Sequence, residues 1–170
     1  MNRKTHVAFA EIGFLTAAIL TGDHITFMEM SISPGIGAIP AMIAAVLPDV
    51  DMKNSTLGKK FPLISKFCTH RGFTHTAVVN CGLLFLLLAT RGQGESILIR
   101  GAQSLMFGVV FAYASHLLSD LHNYKGIPLF WPLSKVHVYI MRVTTGKIDE
   151  QIFLVATILL AILHLITLGM

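Results

Sequence analysis

Five apolar runs, at about 7–22, 32–47, 73–90, 97–121 and 151–168, take up most of this chain and limit what it can become. Apolar surface on that scale cannot be hidden inside one small soluble domain. In a bilayer, helices satisfy their own backbone and turn apolar side chains to lipid. Composition agrees: 54% of the 170 residues are hydrophobic and 13% are charged, about half the charged share of a soluble domain. The expected class is all-α, a multi-pass membrane helix bundle forming one domain over 1–170. Several runs are shorter than the usual ~20 apolar residues of a span, which implies local thinning of the bilayer or burial among neighbours. The 7–22 run superficially resembles a signal peptide, but Glu11 interrupts it and further apolar runs follow. It reads as a retained first helix. Pro40 is expected to kink the second helix and Pro48 to end it.

Two connections stand apart from the helices. Residues 52–72 alternate lysines with Leu57, Phe61, Leu63, Ile64 and Phe67, a pattern that suits a helix lying in the interface rather than crossing it. Residues 122–149 form a second polar and aromatic connection containing Pro128, Trp131 and Pro132. Five crossings would collect Arg3, Lys4 and every cation of the two long connections on one side, leaving Arg91 and Arg100 on the other. The positive-inside rule then puts the N-terminus in the cytoplasm of a bacterial-type inner membrane. The net charge of +4 is therefore a topology and lipid-headgroup signal, not a nucleic-acid one. Cys68 and Cys81 have no CxxC spacing and are expected to stay reduced.

The same arrangement gathers the polar residues. His6 starts the first run; Asp49 and Asp51 end the second; His70, Arg71 and His75 precede the third; His116 and Asp120 end the fourth; Glu150 precedes the fifth. All would lie on the cytoplasmic side. His116 and Asp120, four apart, share one helix face and can present two metal ligands together. Asp49 and Asp51 add hard carboxylates, and His6, His70 and His75 add imidazoles. Such a mixed set suits zinc, manganese or iron, and is too nitrogen-rich for a dedicated magnesium or calcium site. More ligands are available than one tetrahedral ion requires, so one or two ions fit, in an arrangement able to activate water and clamp a phosphoryl group. Arg71 is the natural partner of a substrate phosphate. The competing structural reading is polar glue between helices. Lone histidines such as His24, His137 and His164 are expected to serve packing or hydrogen bonding.

These motifs together resemble the YdjM-type family of inner-membrane proteins, described as LexA-regulated, membrane-bound, predicted metal-dependent hydrolases. The resemblance is carried by Leu47-Pro48-Asp49-Val50-Asp51, His70-Arg71-Gly72-Phe73-Thr74-His75-Thr76 and Ser115-His116-Leu117-Leu118-Ser119-Asp120, with 126–132, the Gly146 and Glu150 pair and His6 completing it. It implies a metal site, with the family's polar positions falling on His6, Asp49, Asp51, His70, His75, His116, Asp120 and Glu150; the residues themselves suggest His6, Asp49, Asp51, His70, His75, His116 and Asp120 as metal ligands, with Asp51, Arg71 and Glu150 in catalytic roles. One departure stands out: Asn123 occupies a position where the family often has threonine. The function expected is hydrolysis of phosphoesters such as a phospholipid or lipid-linked phosphate, and the resemblance implies a place in the SOS response. The alternative is a non-enzymatic metal-binding protein or transporter, or a structural stress-related membrane protein. A transport path needs polar residues through the bilayer depth, where only Glu11, Asn80, Gln103 and His164 fall.

Overall fold

A computed structural model describes residues 2–22, 24–67, 71–93 and 96–168. Its axis is the longest helix, α6 (Ile97–Leu121), which Ser96 caps by accepting a hydrogen bond from the Ile99 N–H at 3.3 Å. Around it stand α1 (Arg3–Thr21), α2 (Pro34–Ala44) and α5 (Ala77–Leu88), while α7 (Ile148–Thr167) lies outermost against α1. The short helices α3 (Thr56–Lys60) and α4 (Pro62–Phe67) occupy the lysine-rich connection. Pro62 divides them, because it cannot continue the helix that Lys60 ends.

α2 meets α6 backbone to backbone. A Cβ at Gly108 would stand 2.1 Å from the Gly37 carbonyl oxygen, and one at Gly37 would stand 2.7 Å from the Phe14 ring. Ala41, Ala44, Ala45 and Ala112 fill the same seam, and Ala10 and Phe14 of α1 close it. Small residues are what allow helices to approach this closely in a membrane. α7 is different: little beyond its first turn is buried, and Phe9 stacks on Phe153 at 5.8 Å. An apolar helix exposed almost all round is a lipid-facing one.

Among the described residues, three stretches are long and apolar enough to cross a membrane: 34–51, 97–121 and 148–167. The other two expected crossings do not reach that standard. α1 carries Arg3, Lys4, His6 and Glu11, and α5 has 12 residues.

Element boundaries also shift from the expected ones, each for a local reason. α1 begins four residues earlier, because the Asn2 side chain accepts from the Thr5 N–H at 3.0 Å. The polar connection after α1 is partly a hairpin, β1 (Ile25–Phe27) paired antiparallel with β2 (Met30–Ile32). It buries Ile25, Met30 and Ile32 against Leu87. α5 begins after residues 73–75, which form a 3-10 turn that drives His75 inward. The Ala77 N–H bonds the Leu129 carbonyl at 2.9 Å and ties this start to the long connection after α6.

Candidate metal centre

Chain direction gathers the chemistry at one end of the bundle. α1, α5 and α7 begin there and α2 and α6 finish there, while the hairpin and the Glu29–Arg91 ion pair mark the other end. Asp49 and Asp51 sit on the 3-10 turn Pro48–Asp51, which follows α2 because Pro48 and the short polar residues favour a tight turn over more helix. His116 and Asp120 come from the last turns of α6, and His6 from the first turn of α1. His6, Asp51, His75, His116 and Asp120 are almost wholly buried.

Each imidazole has one nitrogen occupied and the other directed into the cluster. Nδ1 of His116 donates to the Ala45 carbonyl at 2.7 Å, which leaves Nε2 as the bare nitrogen. Nδ1 of His75 faces Asp51 Oδ2 at 3.3 Å and the Thr74 hydroxyl at 3.1 Å. Nδ1 of His6 pairs with the Ser119 hydroxyl at 2.6 Å, and that hydroxyl also lies 2.9 Å from the His116 carbonyl. The remaining His6 Nε2 is buried with no hydrogen-bond partner among the described residues. Leaving such an atom empty is costly, and metal sites fix imidazoles in this manner, with the outer nitrogen held by a carboxylate, carbonyl or hydroxyl.

The inward atoms form a cage. His75 Nε2 and His116 Nε2 are 3.4 Å apart; Asp120 Oδ2 is 3.5 Å from the first and 3.7 Å from the second; Asp49 Oδ1 is 3.7 Å and 3.9 Å from the same pair. Four donors on a tetrahedral ion with bonds near 2.1 Å would be ~3.4 Å apart. His75, His116 and Asp120 fit three positions around a zinc-sized ion with slight contraction, and Asp49 Oδ1 approaches the same two imidazoles from a little farther out. Asp120 Oδ1 turns the other way, to His6 Nε2 and Arg71 Nη2, each at 3.6 Å. Two further groups, His6 with Asp49 and His116 and Asp49 with Asp51 and His75, also bring donor atoms within 4.8 Å of one another, so the donors offer more than one possible position. Burial, the largest influence on His75, pushes its pKa down. Hydrogen bonds to Asp49 and Asp51 and the charge of Asp120 outweigh it and hold the group up at about 9.

Arg71 has φ 59°, a left-handed backbone unusual for a side-chain-bearing residue. Its N–H donates to Asp51 Oδ2 at 3.0 Å and its Nη1 to the Gly126 carbonyl at 2.7 Å. Its buried Nε makes no hydrogen bond among the described residues. The guanidinium, Asp49 and Asp120 floor a cavity of about 630 Å³ whose walls include Asn123, Lys125 and Thr145. Asn123 donates to the Thr145 hydroxyl at 2.9 Å, so a hydroxyl reaches this wall from another part of the chain.

Of the residues singled out from sequence, His6, Asp49, Asp51, Arg71, His75, His116 and Asp120 come together. Asp51 holds His75, Thr74 and Arg71 from the outer side. Glu150 stands apart from the cage. It accepts from the Asn2 N–H at 2.6 Å, Asn2 Nδ2 at 3.0 Å and the Gly146 N–H at 2.6 Å, joining the starts of α1 and α7. His70 lies outside the described residues. His122 bonds its own helix at the Leu118 carbonyl. Sequence reasoning missed the Ala45 carbonyl, Thr145 and Asn2. A backbone carbonyl carries no residue-type signal, and Asn2 could be read only as a helix cap.

Comparison with known proteins places the chain among inner membrane proteins. The family model described as YdjM inner membrane protein matches residues 1–169. Inner membrane protein YdjM of Escherichia coli (strain K12) is 35% identical over 96 residues, covering 54% of this chain and 47% of that protein, and the Shigella flexneri protein of the same name matches equally. The matched region spans about half the length of those two relatives. Uncharacterized protein YvsG of Bacillus subtilis (strain 168) is 29% identical over 159 residues, covering 91% of this chain and 88% of that one. No solved structure matches. With a helical fold carrying membrane-length spans and a family match along nearly its whole length, this chain belongs to the YdjM inner membrane protein family.

Proposed function

We propose that the protein is a membrane-bound metal-dependent hydrolase acting on a phosphoester, such as a phospholipid or lipid-linked phosphate, with its site at the cytoplasmic membrane face. The observation that carries this is the buried cage of His75, His116, Asp49 and Asp120 opening into a cavity with Arg71 on its floor. Polar glue between helices would pair these groups off, yet His6 Nε2 makes no hydrogen bond among the described residues. Zinc, with manganese or iron as alternatives, would be held by His75, His116, Asp49 and Asp120, with His6 a further ligand. Such an ion, when bound, lowers the pKa of a coordinated water and polarises a phosphoryl oxygen.

The chain's own residues supply the rest. Arg71, directed by Asp51 and the Gly126 carbonyl, offers its guanidinium to phosphate oxygens and offsets charge developing on them. Asp51 keeps the His75 Nδ1 proton in place and Nε2 available. Glu150 positions Asn2 at the edge of the cavity. The low polarity around the cage strengthens each of these interactions.

The test is a hydrolysis screen of the purified protein over water-soluble phosphoesters and phospholipids, run beside Asp49→Ala and His75→Ala. Turnover lost in both variants supports the reading, and wild-type turnover in both would overturn it. The non-enzymatic reading gains from Glu11 and Asn80, each with a buried side-chain oxygen lacking a hydrogen bond away from this site. It predicts bound metal with no turnover on any substrate in the screen.

A further inference from the structure

The connection from α6 to α7 is tethered at both ends to membrane-length helices, so it must lie at the membrane boundary. Its base is firmly built. Ile127 and Val138 exchange backbone hydrogen bonds at 3.1 and 2.9 Å, and Gly126, at φ 61°, brings its Cα against the Val138 carbonyl, where a Cβ would stand at 2.5 Å. Trp131 meets the Phe73 ring edge-on at 5.5 Å, beside the site's own turn.

The tip on this base is the reverse of a soluble loop. Leu133 is 94% exposed, and Phe130, Val136, Ile140 and Met141 are exposed with it. Polar residues are the norm on loops that face water. The charges here have one sign: between Asp120 and Asp149 the sequence contains Lys125, Lys135, Arg142 and Lys147 and no acidic residue. Arg142 lies over the Tyr124 and Tyr139 rings at 5.7 and 5.1 Å. Apolar side chains, aromatic rings and cations without acids are the composition that settles into the headgroup layer of an anionic bilayer.

We propose that residues 128–142 form an interfacial anchor that inserts Leu133 and Val136 below the headgroups while Lys135 and Arg142 pair with anionic lipid phosphates. This is independent of the hydrolase reading. Trp131 is the chain's sole tryptophan and reports on the anchor directly. The full chain is placed in lipid nanodiscs of phosphatidylcholine, with or without phosphatidylglycerol, each prepared with and without brominated acyl chains. Bromine quenching of Trp131 is expected, about twofold stronger in the anionic discs. Leu133→Asp should weaken quenching, and Lys135→Glu with Arg142→Glu should abolish the difference between lipids. Should a variant fail to fold, the wild-type comparison between lipids still decides. Equal or absent bromine quenching with strong quenching by aqueous iodide would place the tip in water and overturn the proposal. Protection from both quenchers would overturn it in favour of a covering second copy or partner protein.

Discussion

At the residue scale, the cage works by fixing protons. The Ala45 carbonyl sets the His116 tautomer, the Ser119 hydroxyl holds His6 Nδ1, and Asp51 faces His75 Nδ1. Removing the Asp51 carboxylate as Asp51→Asn is predicted to weaken metal affinity by about 10–100-fold while leaving every inward donor in place. Isothermal titration of metal-free protein measures this, and unchanged affinity would remove Asp51 from its positioning role. His75 gives a pH prediction. Its pKa in the folded metal-free protein is raised to about 9, so the stability its imidazolium contributes is fully present below about 6.5 and lost as pH rises through about 9. Metal requires the neutral ring and must displace that proton. Apparent affinity should therefore rise about tenfold per pH unit up to about 9 and then level off, with proton uptake by the buffer on binding. A flat profile from pH 7 to 9 would show that His75 is not a ligand. Arg71→Lys is predicted to keep the metal and reduce kcat/KM by about 100-fold, because an ammonium cannot reproduce the guanidinium fork. The identities of these residues were legible because imidazoles and carboxylates are scarce in so apolar a chain. The division of labour was not: Asp49 and Asp51 look equivalent in sequence, and only the path of the Pro48–Asp51 turn aims one inward and the other at Arg71 and Thr74.

At the element scale, the site depends on how closely α2 can approach α6, since that contact carries Asp49 to His116. The governing position is Gly108, where any Cβ meets the Gly37 carbonyl. Gly108→Ala is predicted to destabilise the bundle by about 1–3 kcal/mol and lower metal occupancy with it. Thermal unfolding in detergent reads this, and a wild-type midpoint would show that the seam is looser than described. The helices themselves were readable from apolar runs, but their ends were not. His75 and Thr74 take a 3-10 turn where apolar content alone extends the helix, because their side chains are drawn to Asp51. The hairpin escaped notice because its turn places Met28 and Glu29 at positive φ, without the Asn-Gly or Asp-Gly pair that announces such turns.

At the scale of the whole molecule, alternating helix direction makes one end chemical and the other structural. Asp49, His75, His116 and Asp120 meet only because α2 and α6 run towards the end from which α1 and α5 depart. That convergence was legible in the order of apolar runs and polar clusters, although among the described residues three stretches are apolar enough to span alone. α1 and α5 are too polar or too short to announce themselves as spans, and depend on the neighbours they pack against. Three carboxylates are buried here beside the Arg71 guanidinium and the His75 imidazolium, and a metal ion would take over the charge of the proton that His75 gives up. The central claim is that this end of the molecule is a metal centre. Its most direct measurement is the metal content of protein purified in detergent without chelators, by inductively coupled plasma mass spectrometry, beside His116→Ala. About one or two zinc, manganese or iron ions are expected per folded wild-type chain, with a marked loss in the variant. Folded wild-type protein that contains no such metal, and takes none up when it is supplied, would contradict that claim.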